Sequence, residues 1–191
     1  MPLADIQHQA KRAIQELLEQ YGNEIYQYVL YTLGDRGLAE DAVQEIFLRA
    51  LEAWPRFEHR SSPRTWLWAI ARHYVRDMIR KKRRARNQAE VLLDHVADRP
   101  CDDRSLDRIE LESALHNLPV SYREVVILRV IQDSPVREVA ELLGWSEVRV
   151  RVTLHRAIKK LQKDFVEADE RRPNPREGRE SGWTSSTYRK G

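Results

Sequence analysis

Arg149, Arg156, Lys159, Lys160 and Lys163 recur at helical intervals in the stretch WSEVRVRVTLHRAIKKLQK, just after a Gly and a Ser that can start a helix. A guanidinium near a helix start can donate two hydrogen bonds to guanine O6 and N7, and the remaining cations can neutralise phosphates. Val152 sits among them on the basic side. It suits contact with a thymine methyl group, or else packing on a neighbouring domain. A second group combines Trp66, Trp68 and Tyr74 with the run RHYVRDMIRKKRRAR, which holds eight Lys/Arg against one Asp. That mixture suits single-stranded or opening DNA, with arginines tracking phosphate and aromatic rings receiving an unstacked base. Trp66 fits a helical core equally well, and the charge run fits a solvated helix end. A third group is acidic: Asp41, Gln44, Glu45, Leu48 and Glu52 share one side of a helical period. Such a face repels phosphate, so it either meets a basic protein surface or is plainly solvated.

Other chemistries find little support. The six histidines are scattered, and none stands at metal-ligand spacing from Cys or acid partners. No paired-carboxylate metal site, Cys/His nucleophile arrangement or phosphate-cradling Gly loop is present, so neither an enzyme nor a cofactor is expected. Cys101 is the single cysteine and cannot form an internal disulfide. No signal-like segment is visible, and no run approaches the roughly 20 apolar residues that span a bilayer. The expectation is a cytoplasmic protein without direct membrane insertion.

The elements that must position these groups are helical in pattern. With 33% charged residues, seven Gly and eight Pro in 191 residues, the composition favours helix over sheet. Ile14 to about Leu33 carries an apolar side, and LGDRG ends it. Leu38 to Trp54 places Ala39, Ala42, Val43, Ile46, Phe47, Ala50 and Leu51 on one stripe. After the loop PRFEHRSSPR, a third helix starts near Thr65, with Leu67, Ile70, Ala71, Tyr74 and Met78 inward. These make a first domain over residues 10–86. Residues 87–105 read as an acidic, irregular linker.

The second domain spans 106–167. Leu106 to Asn117 is helical, Pro119 opens the next helix, and Ser121 with Glu124 has the spacing of a capping box. VVILRVI, rich in β-branched residues, suits helix or strand, and the flanking signals favour helix. Ser134 and Pro135 start PVREVAELL, with Val136, Val139, Ala140 and Leu143 on one side, and Gly144 supplies a left-handed end. Once Ser146 is an N-cap, Val150, Leu154, Ala157, Ile158 and Leu161 line up inward, and Arg149, Val152, Thr153, Arg156 and Lys160 outward. The valine–arginine alternation then lies within a helical period. Two helices joined by a glycine turn form either a helix-turn-helix or an ordinary αα-hairpin, and the basic outer side favours the former. The tail, 168–191, is polar and reads as disordered. The expected fold is all-α, with two small helical domains joined by an acidic linker.

Two blocks carry a family resemblance. AEDAVQEIFLRALEAWPRFEHRSSPRTWLWAIARHYVRDMIRKKRR resembles region 2 of extracytoplasmic function (ECF) sigma factors, the compact group of the sigma-70 family of bacterial RNA polymerase specificity subunits. LPVSYREVVILRVIQDSPVREVAELLGWSEVRVRVTLHRAIKKL resembles their region 4, and the likeness covers about residues 15–165. It implies that Asp41, Gln44, Glu45, Leu48 and Glu52 dock on core RNA polymerase. It implies that Phe57, Arg60, Ser61 and Ser62 in the loop, with Arg72, His73, Arg76 and Arg80 on the helix, read and melt the minus-ten element. It also implies that Ser146, Arg149, Arg151, Val152, Thr153, Arg156 and Lys160 face the minus-thirty-five element of promoter DNA. The linker would run near the polymerase active-site and RNA-exit path, its carboxylates mimicking nucleic acid.

Where many relatives have IARN this chain has Ile70, Ala71, Arg72 and His73, and the S-x-G-T-V-K-S-R pattern is replaced by SEVRVRVT, so the resemblance does not carry over the promoter bases. FE-x-RSS-x-x-TWL-x-x-IARH is similar to cell-envelope-stress members of Gram-positive bacteria. Members of the family are often held inactive by an anti-sigma factor, commonly membrane-anchored. A helix-turn-helix repressor or activator outside the polymerase is the rival reading, and it requires a dimer and a palindromic site.

Overall fold

The computed structural model describes residues 3–89 and 106–170, all helices, turns and short connections. The expected linker falls on residues outside these from 90 to 105, and the expected tail from 171 onward. Helix α1 (Leu3–Leu33) starts well before Ile14, because QHQAKRAIQELLEQ is made almost wholly of strong helix formers and Ala10 is already buried. Gly34, with φ 73°, closes it. Asp35 then caps α2 (Arg36–Ala53), its carboxylate accepting from the Leu38 N–H at 2.8 Å. Pro55 stops α2 in a single 3₁₀ turn, Trp54–Arg56. Helix α3 (Pro63–Ala89) runs beyond the basic block.

The second module holds α4 (Leu106–His116), α5 (Val120–Val126), α6 (Val136–Leu143) and α7 (Glu147–Glu170). The ambiguous stretch VVILRVI is helical, but its second half, Ile127–Ile131, widens to a π turn closed by Gln132 N–H on Ile127 O at 2.9 Å. Gly144 ends α6 at φ 64°, ψ 38°, as the sequence suggests. A Cβ there would meet nothing within 4 Å, so the cost of Gly144→Ala is purely conformational. We expect this variant to lose about 1 to 2 kcal/mol, read as a lower urea midpoint with an unchanged slope.

Two capping expectations fail. Pro119 and Pro135 themselves occupy the N-cap positions of α5 and α6 without side-chain bonds. Ser121 and Glu124 form no capping box, because Glu124 is drawn into a tertiary ion cluster described below. Ser134 is buried rather than capping.

The modules are not separate beads. Ile25, Tyr28 and Val29 of α1 and Leu67, Trp68, Ala71 and Val75 of α3 belong to the same buried cluster as Val125, Ile127, Leu128, Val139, Leu142 and Leu143. A smaller core of Leu115, Leu118, Val126 and Ala157 lies within the second module. The closed packing sets which site residues reach the surface.

Candidate functional site

Helix α7 is capped at its start and basic on its outer side. Ser146 Oγ accepts from the Arg149 N–H at 3.3 Å, which fixes the helix start. The Trp145 ring lies beneath the Arg149 guanidinium, 4.0 Å from its carbon to the ring centroid. This stacking limits the rotamers of Arg149 while leaving its N–H edge exposed. Val150 and Ala157 are fully buried, whereas Arg149, Arg151, Val152 and Arg156 are exposed and Thr153 is half-buried. Val152 is 43% exposed. Arg151 is tied to Glu147 at 2.6 Å and Lys160 to Asp164 at 3.3 Å. Ile158, expected inward, is 38% exposed.

The loop between α2 and α3 gathers aromatic rings that sequence reasoning only partly found. Phe57 lies 4.4 Å from His59 and 4.8 Å from Trp66, and Trp54 lies 5.5 Å from Trp66, centroid to centroid. His59 holds φ 54°, a left-handed conformation that turns its ring onto the cluster. Trp66 is therefore half-buried, packed both on this local cluster and on the edge of the main core, with the rest of its ring open. Trp68 is different. It is fully buried 4.8 Å from Tyr28, with its indole N–H donating to Glu24 at 2.6 Å, so it cannot receive a base. Ser62 caps α3, its hydroxyl accepting from the Thr65 N–H at 3.1 Å, while Ser61 and Arg60 are exposed and Arg60 pairs with Glu58 at 2.6 Å.

The basic helix divides into two faces. His73 and Arg80 are exposed and share Asp77, which lies 3.2 Å from His73 Nε2 and also bonds Arg80. Arg72 and Arg76 turn the other way, toward Glu124 of α5. Glu124 is 0% exposed. Its Oε2 accepts from Arg76 Nη2 at 2.8 Å, and its Oε1 from Arg76 Nε at 3.1 Å, Arg72 Nε at 3.4 Å and the Tyr28 hydroxyl at 3.3 Å. Burial first, and the Glu124 charge second, push the Tyr28 phenol well above its ordinary value, so it remains a donor to that carboxylate. Arg72 Nη1 also donates to the Leu142 and Leu143 carbonyls, at 3.3 and 2.9 Å, at the negative end of α6. The minus-ten candidates are thus not brought together: four lie at the loop, two on an open face, Arg72 inside the intermodule seam and Arg76 at its exposed rim.

The acidic side of α2 is open. Asp41, Gln44 and Glu52 are exposed, Glu45 is half-buried beside Arg49 at 2.7 Å, and Leu48 is 56% exposed among them. Among the described residues no group of three or more His, Cys, Asp or Glu is placed to hold a metal, and no helix is long and apolar enough to cross a membrane.

A helix-turn-helix reader, a second module with aromatic and basic groups, and a separate acidic face define a class of two-module transcription protein. Comparison with known proteins agrees: residues 17–85 match the model for Sigma-70 region 2, and residues 108–161 that for Sigma-70, region 4. The ECF RNA polymerase sigma factor SigX of Bacillus subtilis is 34% identical over 162 residues, covering 80% of this chain and 84% of that one. The ECF RNA polymerase sigma factor SigC of Mycobacterium tuberculosis is 35% identical over 148 residues, covering 76% and 80%. Among solved structures, the sigma factor RpoE in complex with the anti-sigma factor NepR from Bartonella quintana aligns with a TM-score of 0.63 at 27% identity, covering 80% of this chain and 96% of that one. CnrH in complex with the cytosolic domain of CnrY aligns with a TM-score of 0.61 at 27% identity, covering 86% and 96%. The chain belongs to the ECF RNA polymerase sigma factors.

Proposed function

We propose that this sigma factor docks on core RNA polymerase through Asp41, Gln44, Glu45, Leu48 and Glu52 and carries two DNA-reading surfaces to a promoter. Helix α7 reads the minus-thirty-five element as duplex. The Phe57–Pro63 loop and the basic face of α3 engage the minus-ten element as it opens, with the rings of Phe57, His59 and Trp66 receiving an unstacked base. Unstacking costs a few kcal/mol per step, which stacking of about 1 to 3 kcal/mol per base can offset. The polymerase performs the chemistry, and the chain is a non-catalytic, cytoplasmic initiation factor.

The observation that carries this reading is the coexistence, on one chain, of a capped reading helix with exposed Arg149, Val152 and Arg156 and a remote acidic face bearing Leu48. An anti-sigma factor, membrane-anchored or free, is the regulator we propose. The support is that the similar sigma factor RpoE is solved in complex with the anti-sigma factor NepR, and CnrH with the cytosolic domain of CnrY.

Purified chain added to core polymerase and genomic fragments is expected to give transcripts from discrete starts that share two upstream elements. Binding to a palindrome without transcripts would favour a repressor instead. Arg149→Ala is expected to weaken initiation by about 1 to 3 kcal/mol of lost base contact, roughly 5- to 150-fold, with relaxed preference at one base pair. A uniform loss across all base substitutions would mean that Arg149 touches only phosphate.

A further inference from the structure

The two modules meet through a charge cluster that nothing in the polymerase or DNA roles requires. Glu124 is a carboxylate set inside the apolar run REVVILRV, and across the seam it pairs with Arg72 and Arg76. The Arg72 side chain is 13% exposed, whereas that of Arg76, at the rim of the seam, is 43% exposed. The Glu124 carboxylate accepts from Arg76 through both oxygens, with Nη2 on Oε2 at 2.8 Å and Nε on Oε1 at 3.1 Å, in the fork geometry that a phosphate also offers an arginine. The seam is reinforced at its rim. Arg64 of α3 bonds Glu138 of α6, and Gln132 Nε2 donates to the Glu24 carbonyl of α1 at 2.9 Å.

We propose that Glu124 is a built-in phosphate mimic that latches the second module onto Arg72 and Arg76, so that the free chain is closed and the guanidinium groups of these two arginines are released for DNA phosphate only when the modules part. The physical reason is competition for one pair of guanidinium groups. A carboxylate held by the fold acts at very high effective concentration, and an incoming phosphate must displace it while the apolar seam is still closed. Binding to polymerase, which engages the modules as separate bodies, supplies the differential affinity that opens the latch. Removing the Glu124 charge leaves Arg72 largely desolvated without a counter-charge and frees Arg76 at the rim, which destabilises the closed form and not the open one.

This inference rests on the sigma-factor reading for the role of the arginines, but the closed state itself is measured without polymerase or promoter. In a Cys101→Ser background, spin labels at Gln20→Cys on α1 and Val166→Cys on α7 report the distance between modules. The chain with Glu124 intact is expected to show one narrow, short distribution. Glu124→Gln, with unchanged helix content, is expected to add a longer, broad component and to raise affinity for promoter fragments by about tenfold or more. A distribution unchanged by Glu124→Gln, or one already broad in the parent, would overturn the latch.

Should Glu124→Gln fail to fold, a chain carrying Arg64→Cys and Glu138→Cys decides the matter when joined across the seam by a short bismaleimide and compared with the same chain capped singly. The joined form is expected to start transcription at below about a tenth of the capped rate; equal rates would overturn the proposal. A chain that opens as expected yet recruits no polymerase would leave the latch standing and defeat the sigma-factor role instead.

Discussion

Replacing Asp41 and Glu45 together by arginine is expected to remove most recovery of core RNA polymerase in a pull-down. Both residues lie on the open side of α2, so their reversal leaves the buried stripe of Ala39, Ala42, Ile46, Phe47 and Ala50 intact. The cost in fold stability should stay within about 0.5 kcal/mol, since the exposed Glu45–Arg49 pair contributes little. At a protein surface of opposite charge, however, each reversal turns an attraction into a like-charge contact worth several kcal/mol, which affects both encounter and register. The expected loss is therefore at least tenfold per 1.4 kcal/mol of lost contact, or about a hundredfold or more for the pair. Circular dichroism should show unchanged helix content. Equal recovery of polymerase by both proteins would remove the docking assignment from α2.

Arg123→Met is expected to be the most damaging single change to the fold. The Arg123 guanidinium is buried and faces no carboxylate among its recorded partners. It donates instead to backbone carbonyls: Leu115 O at 2.7 Å, Leu118 O at 3.1 Å, His116 O at 2.6 Å and Thr32 O. These carbonyls lie at or just beyond the C-terminal ends of α1 and α4, where no intrahelical partner exists for them, so one planar fork completes two helix ends at once. Burial pulls Arg123 below the usual guanidinium range, the direction expected when no opposing charge repays desolvation. Methionine keeps the packing and removes every donor. Leu115 O keeps the Leu118 N–H at 3.1 Å, but each carbonyl left without a donor costs about 1 to 3 kcal/mol, and even with water entering the site we expect at least about 3 kcal/mol in urea unfolding, a large part of the 5 to 15 kcal/mol typical of whole proteins. Arg123→Lys should fall between, because it restores charge but not the fork. A loss below about 1 kcal/mol for Arg123→Met would show that these carbonyls are satisfied without it.

The helical readings that rested on capping and period together survived contact with the structure. Ser146 and Gly144 settle WSEVRVRVTLHRA as helix, because cap and left-handed turn fix the phase in which Val150 and Ala157 point inward. Readings that rested on spacing alone fared worse. Ser121 and Glu124 have the interval of a capping box, yet a buried carboxylate gains more from two arginines and a tyrosine than from one backbone N–H, and no local rule contains those distant partners. A glutamate inside an apolar run was the available signal. Trp66 and Trp68 show the same limit: their separation by two residues puts them on different sides of α3, but only the loop, with Phe57 and His59 folded back, decides which ring is left open. The seam between the modules was not legible at all, since each module's apolar stripe reads identically whether it covers its own neighbour or another domain's.

Run-off transcription on a promoter with altered spacing tests the central claim most directly. Once a start site dependent on this chain has been mapped, about five base pairs, half of a roughly 10.5-base-pair turn, are inserted between its two upstream elements. If α7 and the loop before α3 read one promoter while polymerase holds them at fixed separation, the insertion rotates one element out of reach, and specific transcription should be lost although both elements remain. Transcription at the original level from the lengthened template would contradict a two-point reading, and transcription without the added chain would contradict its role altogether.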